Sequence, residues 1–228
     1  MKKDHKLMLL TVLACAAISS SFAATKAPNV DASKTALTPA ATAAAGAVSL
    51  VATAHALVRY GDANKDPMAL ITAAKILNEV GKKESNAKRT AGTPGTKTGV
   101  DRYSPAAILE RAKVLATGRA DLLALADDVS TNRGRDRGPG QTDTVVSALA
   151  TDTFRMVFTG GELARVVVSG DGDSDLDLYI TDENGADICK DLGPTDDMVC
   201  TFRPRWTGPF TVRVKNLGMA NRYQMYVN

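Results

Sequence analysis

Histidine and cysteine are scarce in this chain, with two and three residues among 228. His5 belongs to a basic N-terminal segment, so His55 is the one imidazole of the remaining chain. It stands among Ala and Leu in "ATAHALV", without a Ser/Asp pairing beside it, and reads as a helix-packing or exposed residue. Nucleophilic catalysis needs a nucleophile and a base within hydrogen-bond reach, and no such grouping is evident. Gly-x-Ser-x-Gly is absent. Ser85-x-x-Lys88 with Lys97-Thr98-Gly99 imitates the penicillin-binding motifs, but those need the Lys-Thr-Gly on a strand far from the serine. Here both lie in one polar insert. "GTPGTKTG" is no phosphate loop, because it lacks the four-residue spacer before Gly-Lys, and no strand is expected before it.

Long apolar runs are also few. The one at Leu7–Ile18, "LMLLTVLACAAI", is preceded by the basic stretch Met1–Lys6 and is too short to cross about 30 Å of hydrocarbon. "SSSFA" comes next, with small residues at Ser21 and Ala23. This is the grammar of a secretory signal peptide over residues 1–23, cleaved after Ala23. "VLAC" imitates a lipobox, so an outer-membrane lipoprotein anchored through Cys15 is the alternative to a periplasmic or secreted protein. No later segment reads as apolar enough to span a membrane. A strong charge field is missing too. Losing Lys2, Lys3, Lys6 and Asp4 with the signal lowers the formal charge from +3 to +1. That excludes the basic footprint of a nucleic-acid partner.

Two cysteines survive such cleavage, Cys189 and Cys200, with ten residues between them. In an exported chain an even pair reads as a disulfide. A zinc site would need more ligands than this neighbourhood holds.

The rest of the chain divides by composition. Residues 24–46 are Ala/Thr/Pro-rich without large apolar side chains, a composition that cannot offset ordering entropy, and read as a flexible leader. Residues 47–130 predict four helices. Val48, Val51, Ala54, Leu57 and Val58 recur at helical spacing, with Gly61 as the stop. Asp66-Pro67 and Ser104-Pro105 are cap-and-proline starts, and Gly81 and Gly118 are stops. Met68, Ile71, Ala74, Leu77 and Val80 form one stripe; Leu109, Ala112, Leu115, Leu122, Leu125 and Val129 should face inward. Residues 82–103 read as a longer insert between the helical hairpins. Residues 131–150, which begin "TNRGRDRGPGQTD", read as a linker. From Thr151 the period becomes two, in seven short runs punctuated by Gly, Pro, Asn and Asp, which predicts a β-sandwich over 151–228. The expected fold class is therefore α+β by segment: a small N-terminal four-helix bundle and then an all-β antiparallel sandwich.

Within the β segment, "SGDGDSDLDLYITDENGADIC" (Ser169–Cys189) is dense in carboxylates. Leu176, Leu178 and Ile180 alternate with Asp175, Asp177 and Tyr179, as on a half-buried strand, and Asn184-Gly185 predicts a hairpin turn. An EF-hand fails, since Leu176 stands where the loop needs Gly. A glycosidase pair fails because alternate residues on an exposed strand have no apolar wall to raise one pKa. Asp171, Asp173, Asp175 and Asp177 form either a solvated face with an acidic turn or part of a calcium shell. Calcium is the one cofactor weighed. In "RPRWTGPF", Arg203, Arg205, Trp206 and Phe210 form a candidate contact patch, because aromatics and Arg concentrate at binding hot spots; the other reading packs Trp206 at the sandwich end.

"SGDGDSDLDLYITDENG", "CTFRPRWTGPFTVRVKNLG" and "NRYQMYV" together resemble the bacterial pre-peptidase C-terminal domain. The resemblance covers residues 151–228. It implies a jelly-roll-like sandwich appended to secreted proteins, often peptidases, and in collagenases related domains bind collagen, with calcium at the domain start. No peptidase lies upstream here, and the preceding segment offers only Asp136 and Asp143. The function expected is that of an exported, non-catalytic binding or structural protein of the envelope, contacting protein, peptide or glycan. The alternative is an accessory or inhibitor of a secreted peptidase, with a hydrolase third.

Overall fold

A computed structural model describes residues 26–32, 39–98, 101–131 and 138–228. The expected signal peptide, its expected cleavage site and Cys15 lie outside the described residues. Among the described residues, four helices, α1 (Pro39–Asn64), α2 (Pro67–Val80), α3 (Pro105–Leu115) and α4 (Ala120–Thr131), accompany ten strands. The strands are β1 (Lys83–Glu84), β2 (Lys88–Ala91), β3 (Gly140–Val146), β4 (Thr151–Phe158), β5 (Ala164–Gly170), β6 (Leu176–Thr181), β7 (Asp187–Asp191), β8 (Asp197–Phe202), β9 (Gly208–Asn216) and β10 (Asn221–Val227).

The cap-and-proline starts form as expected. The Asp66 side chain accepts from the Met68 and Ala69 amides at 2.9 and 3.2 Å, and Ser104 Oγ accepts from the Ala107 amide at 3.2 Å. Gly61, expected to be a stop, lies inside α1, which runs on to Asn64. A Cβ there would sit 2.8 Å from the Leu70 side chain, so this glycine serves the close approach of α2. The reversal is made instead by Lys65 at φ 53° and by the Asp66 amide on the Gly61 carbonyl, 2.9 Å. Leu125, expected inward, is exposed, as is Met68 of the α2 stripe. Over Thr42–Asn64, α1 is long and apolar enough to cross a membrane by length and composition alone, which corrects the expectation that no later segment would be. Its Val48, Val51, Ala54 and Val58 are buried in the protein core.

The strands make two sheets, β1-β3-β10-β5-β8 and β2-β4-β9-β6-β7, antiparallel except for β1 beside β3. All seven runs predicted from Thr151 onward are strands. Two expectations upstream of them are corrected. Gly140–Val146, expected to be linker, is β3, paired along its length with β10. The insert at 82–103, expected to be helix-to-helix spacing, supplies the edge strands β1 and β2 to the two sheets. Both stretches are polar and Gly-rich, and their apolar alternation is too short to outweigh that composition.

One core lies between the sheets, with Phe154, Phe158, Leu176, Leu178, Ile180, Met198, Phe202, Phe210, Tyr223 and Met225 in it. A second core joins the helices to the outer face of the first sheet: Val167 and Tyr226 sit with Val51, Leu70, Ile108 and Leu122. The "VVV" of β5 explains the layering. Val166 and Val168 point into the sandwich and Val167 into the helices, as expected of a strand buried on both faces. Arg59 of α1 reaches Asp197 of β8 at 2.6 Å, an ion pair across the same boundary. The helices thus form a layer on the sandwich, where the composition had suggested a separate bundle.

Cys189 and Cys200 are joined, with Cα atoms 5.9 Å apart. The bond ties β7, the edge of one sheet, to β8, the edge of the other, and closes the sandwich on that side. Closing so short a loop is worth roughly 3 kcal/mol in the chain-entropy account. Reduction, or Cys189→Ala with Cys200→Ala, is expected to lower the melting temperature by roughly 6–12 °C for a chain of this size. Thiol titration alongside the melts checks this; free thiols in the protein purified without reductant would refute the bond.

Candidate binding site

The acidic turn after β5 is held by buried polar side chains. Asp196, Asn216 and Asn221 are all buried. Asp196 accepts from the Gly172 amide and from Asn221 Nδ2, the latter at 3.2 Å. Ser174 Oγ donates to Asn216 Oδ1 at 2.5 Å, and Asn216 Nδ2 donates to the Ser147 carbonyl at 3.0 Å. The turn needs glycine twice. Gly172 adopts φ 92°, and a Cβ on Gly170 would collide with Asp196 and Asn221.

This scaffold does not bring the four aspartates together. Asp171 and Asp173 flank the Lys97 ammonium, Asp171 at 2.5 Å. Burial alone would lower the Lys97 pKa; the two carboxylates raise it above the usual value. Asp175 has one buried carboxylate oxygen without a partner among the described residues. Asp177, expected to be solvated, is 7 % exposed and accepts from the Tyr179 hydroxyl at 3.1 Å. Among the described residues, no three His, Cys, Asp or Glu side chains are grouped as a metal shell. With Lys97 between Asp171 and Asp173, millimolar calcium is expected to shift the melting temperature by less than about a degree. If calcium bound the native state alone, it would stabilise by about 2.7 kcal/mol at one hundred times its dissociation constant. Melts with calcium and with chelator, on wild type and Asp173→Asn/Asp175→Asn, check this; a rise of several degrees that the variant loses would reverse it.

Beside the turn lies a polar cleft of about 230 Å³, lined by Lys97, Asp101, Arg102, Asp171, Arg222 and Gln224 among others. Its cations are paired with carboxylates. Arg102 Nε and Nη2 donate to Asp62 at 3.1 and 3.0 Å, and Arg222 forms two bonds to Asp143 at 2.9 and 3.0 Å. Burial pushes the Asp101 carboxyl up, against the bond it accepts from the Tyr103 amide at 2.9 Å. With three cations and three carboxylates on its wall, the cleft carries no net formal charge. It can exchange hydrogen bonds with a polar group, and it favours neither sign of ion.

The cleft borders an apolar tip. Lys97 Nζ donates to the Ala220 carbonyl at 3.3 Å, and the Leu149 amide to the Gly218 carbonyl at 3.0 Å. The β3–β4 and β9–β10 loops joined in this way expose Leu149 (77 %), Met219 (62 %) and Leu217 (40 %). Leu149 is held at φ 53°, in the left-handed region.

The Arg/Trp patch is at the opposite end of β4 and β9, and it is built differently from the expectation. Phe210 does not belong to it: the ring is fully buried, packed on Phe158 and Phe202. Arg203, Arg205 and Trp206 are brought together, but by the chain's own N-terminal side. Asn29, within the expected flexible leader, is fully buried there. Trp206 Nε1 donates to Glu183 at 2.7 Å.

His55 is a packing residue, stacked on Tyr103 with ring centres 4.0 Å apart. Burial, with Arg59 nearby, pushes its pKa down to about 3. Neither ring nitrogen has a hydrogen-bond partner among the described residues.

No family model matches the chain, and no curated protein does. Part of it is similar to solved structures. The mitogen of Yersinia pseudotuberculosis is 12 % identical over 40 % of this chain and 85 % of its own, with a TM-score of 0.34. PliG of Aeromonas hydrophila, a periplasmic inhibitor of g-type lysozyme, is 15 % identical over 40 % of this chain and 84 % of its own, at 0.30. The module TmCBM61, solved with β-1,4-galactotriose, is 15 % identical over 38 % and 69 %, at 0.23.

Sequence reasoning named Lys97 only in a discarded motif, and missed Leu149 and Asn29. Lys97 sits in an insert taken for spacing, Leu149 in the expected linker and Asn29 in the expected leader. A lone Leu flanked by Ala, "SALAT", gives no periodic signal.

Proposed function

We propose that this is an exported, non-catalytic binding protein of the bacterial envelope. It engages a protein, peptide or glycan through the sandwich end that carries the cleft and the apolar tip. The observation that carries this reading is Leu149. A left-handed backbone costs an L side chain about 1–2 kcal/mol, yet the position holds a large apolar group projected into solvent. Strain of this kind clusters where a residue is held for function. Exposed aliphatic side chains beside satisfied polar groups are the make-up of a contact surface. Export rests on the signal-peptide reading and suits the disulfide. The resemblance of residues 151–228 to the pre-peptidase C-terminal domain supports a sandwich that serves as a contact module. Among the described residues, the buried His55 and the joined Cys189 and Cys200 support the non-catalytic reading.

Leu149→Gly separates binding from folding, because glycine adopts φ 53° without the side-chain penalty. Its stability is expected to be equal to wild type or higher by up to ~1 kcal/mol, while capture of the partner from periplasmic extract falls. Lys97→Glu, which places a third carboxylate beside Asp171 and Asp173, is expected to weaken capture as well. Equal capture by wild type and both variants would refute this face. Substrate turnover by the purified chain would refute the non-catalytic reading, and a peptidase as the captured partner would specify an inhibitor or accessory role.

A further inference from the structure

The far end of the sandwich carries a second site, which the chain itself fills. Residues Asn29–Asp31 lie against the β8–β9 loop and the β6–β7 turn in a three-residue footprint; Lys26, Ala27 and Pro28 before it and Ala32 after it are exposed. Asn29 is read by its functional groups. Its side-chain oxygen accepts from two successive backbone amides, Arg205 at 2.9 Å and Trp206 at 3.1 Å. Its side-chain nitrogen donates to the Trp206 carbonyl at 3.1 Å and to Glu183 at 3.5 Å. Its backbone amide donates to Asp182 at 2.9 Å. The next two residues bind through the main chain: Arg205 Nε donates to the Val30 carbonyl at 2.7 Å, and the Asp31 amide to the Arg203 carbonyl at 2.7 Å. Val30 packs on the inter-sheet core. Arg203 and the Asp31 carboxylate are 3.8 Å apart.

This donor and acceptor pattern selects one side chain. A carboxylate in place of the Asn29 amide has no N–H for the Trp206 carbonyl and would face Glu183 and Asp182. Glutamine would place the same amide one methylene too deep in a fully buried position. Alanine would strand two amides and a carbonyl, and buried groups left unpaired are costly. The notch itself is built largely from sandwich backbone. Asp182 holds the β6–β7 turn by accepting from the Asn184 and Ala186 amides at 2.8 and 2.9 Å, and the Gly161 amide donates to the Pro204 carbonyl at 2.7 Å.

We propose that the notch formed by Asp182, Glu183 and Arg203–Trp206 is a peptide-binding site for extended Asn-aliphatic-Asp segments, occupied in this structure in cis by residues 29–31. The occupant is a displaceable strap, held by three residues and exposed on both sides of them. A peptide of the same chemistry presented by a partner protein competes for the site. This site is distinct from the cleft and tip, so its test is independent of theirs.

The chain's single tryptophan, Trp206, is the reporter. The probe is a synthetic peptide of residues 26–33, titrated into full-length Asn29→Ala protein whose melting is measured in parallel. A saturable change in Trp206 fluorescence is expected, with affinity at least about tenfold weaker when the peptide itself carries Asn29→Ala or Asn29→Asp. In the wild-type chain the tethered strap competes, so the midpoint moves to higher peptide concentration. Hydrogen exchange of the wild-type Asp31 amide supplies a measurement that needs no variant: displacement by the peptide speeds it. No saturable response, an equal response to the alanine peptide, or an Asp31 amide whose exchange ignores the peptide would each overturn the proposal.

Discussion

Replacing Asp152 by alanine is expected to destabilise the fold by about 3–5 kcal/mol, the range seen when one partner of a buried ion pair is removed. Asp152 lies on β4 with its side chain 1 % exposed, and it joins both sheets. Arg89 from β2 pairs with one carboxylate oxygen. The Tyr223 hydroxyl from β10, across the sandwich, donates to the other at 2.8 Å. Arg89 also donates to Thr144 of β3 at 2.6 Å. Alanine leaves a guanidinium with half its contacts and a buried phenol with none. For a chain this size the melting temperature should fall on the order of 10 °C. A double-mutant cycle with Arg89→Met isolates the pair, because the double variant has no orphaned charge and should recover part of the loss. A loss below about 1 kcal/mol in Asp152→Ala would show that water replaces the clasp.

Acid should weaken this protein through His55. The unfolded imidazole titrates near 6.5, while burial holds the folded one at about 3. Folding therefore excludes a proton that the unfolded chain binds. The stability that the neutral ring allows is fully present above pH 6.5 and is lost progressively as pH falls from there toward 3. Across the whole window the loss amounts to about 4–5 kcal/mol, at 1.36 kcal/mol per pH unit. Asp101, Asp152 and Asp197 oppose it, since burial raises their folded pKa values and they favour the native state as they protonate. The comparison with His55→Phe cancels those carboxylates. Urea titrations between pH 7 and 4 should show a steep decline in wild type and a shallower one in the variant. Parallel slopes would mean that the ring is protonated in the folded state, with Arg59 and Tyr103 rearranged around it.

The strands from Thr151 onward were legible from β-type runs split by Gly, Pro, Asn and Asp, with clear alternation in runs such as Leu176-x-Leu178-x-Ile180. The helices were legible from Asp66-Pro67 and Ser104-Pro105. The partition into a bundle, a linker and a sandwich was not, because short pairings such as Arg89 with Phe154 depend on a partner far along the chain. Gly61 misled because a glycine for close approach and a glycine for termination look alike in sequence. Of the site residues, the cysteine pair was readable from its count and spacing. The Arg203–Trp206 patch was located but its occupant was not, since Asn29 lies in a stretch whose composition alone argues for disorder. Phe210 was misassigned because the same alternation that marks β9 also puts every second residue inside.

The position of β10 has a consequence for how the protein is made. It is the last strand in chain order, yet it sits between β3 and β5 in the middle of its sheet. A chain emerging in order from residue 1 can form the helices early, but β3 and β5 have no common partner until residues 221–227 are free. The sheet face on which the helices rest, with Tyr226 in it, is incomplete for the same interval. Native closure of this sheet is thereby deferred until residues 221–227 can pair with both neighbours. Truncation before Asn221 would split the sheet at its centre, whereas a cut of equal length at β1 would trim only its border.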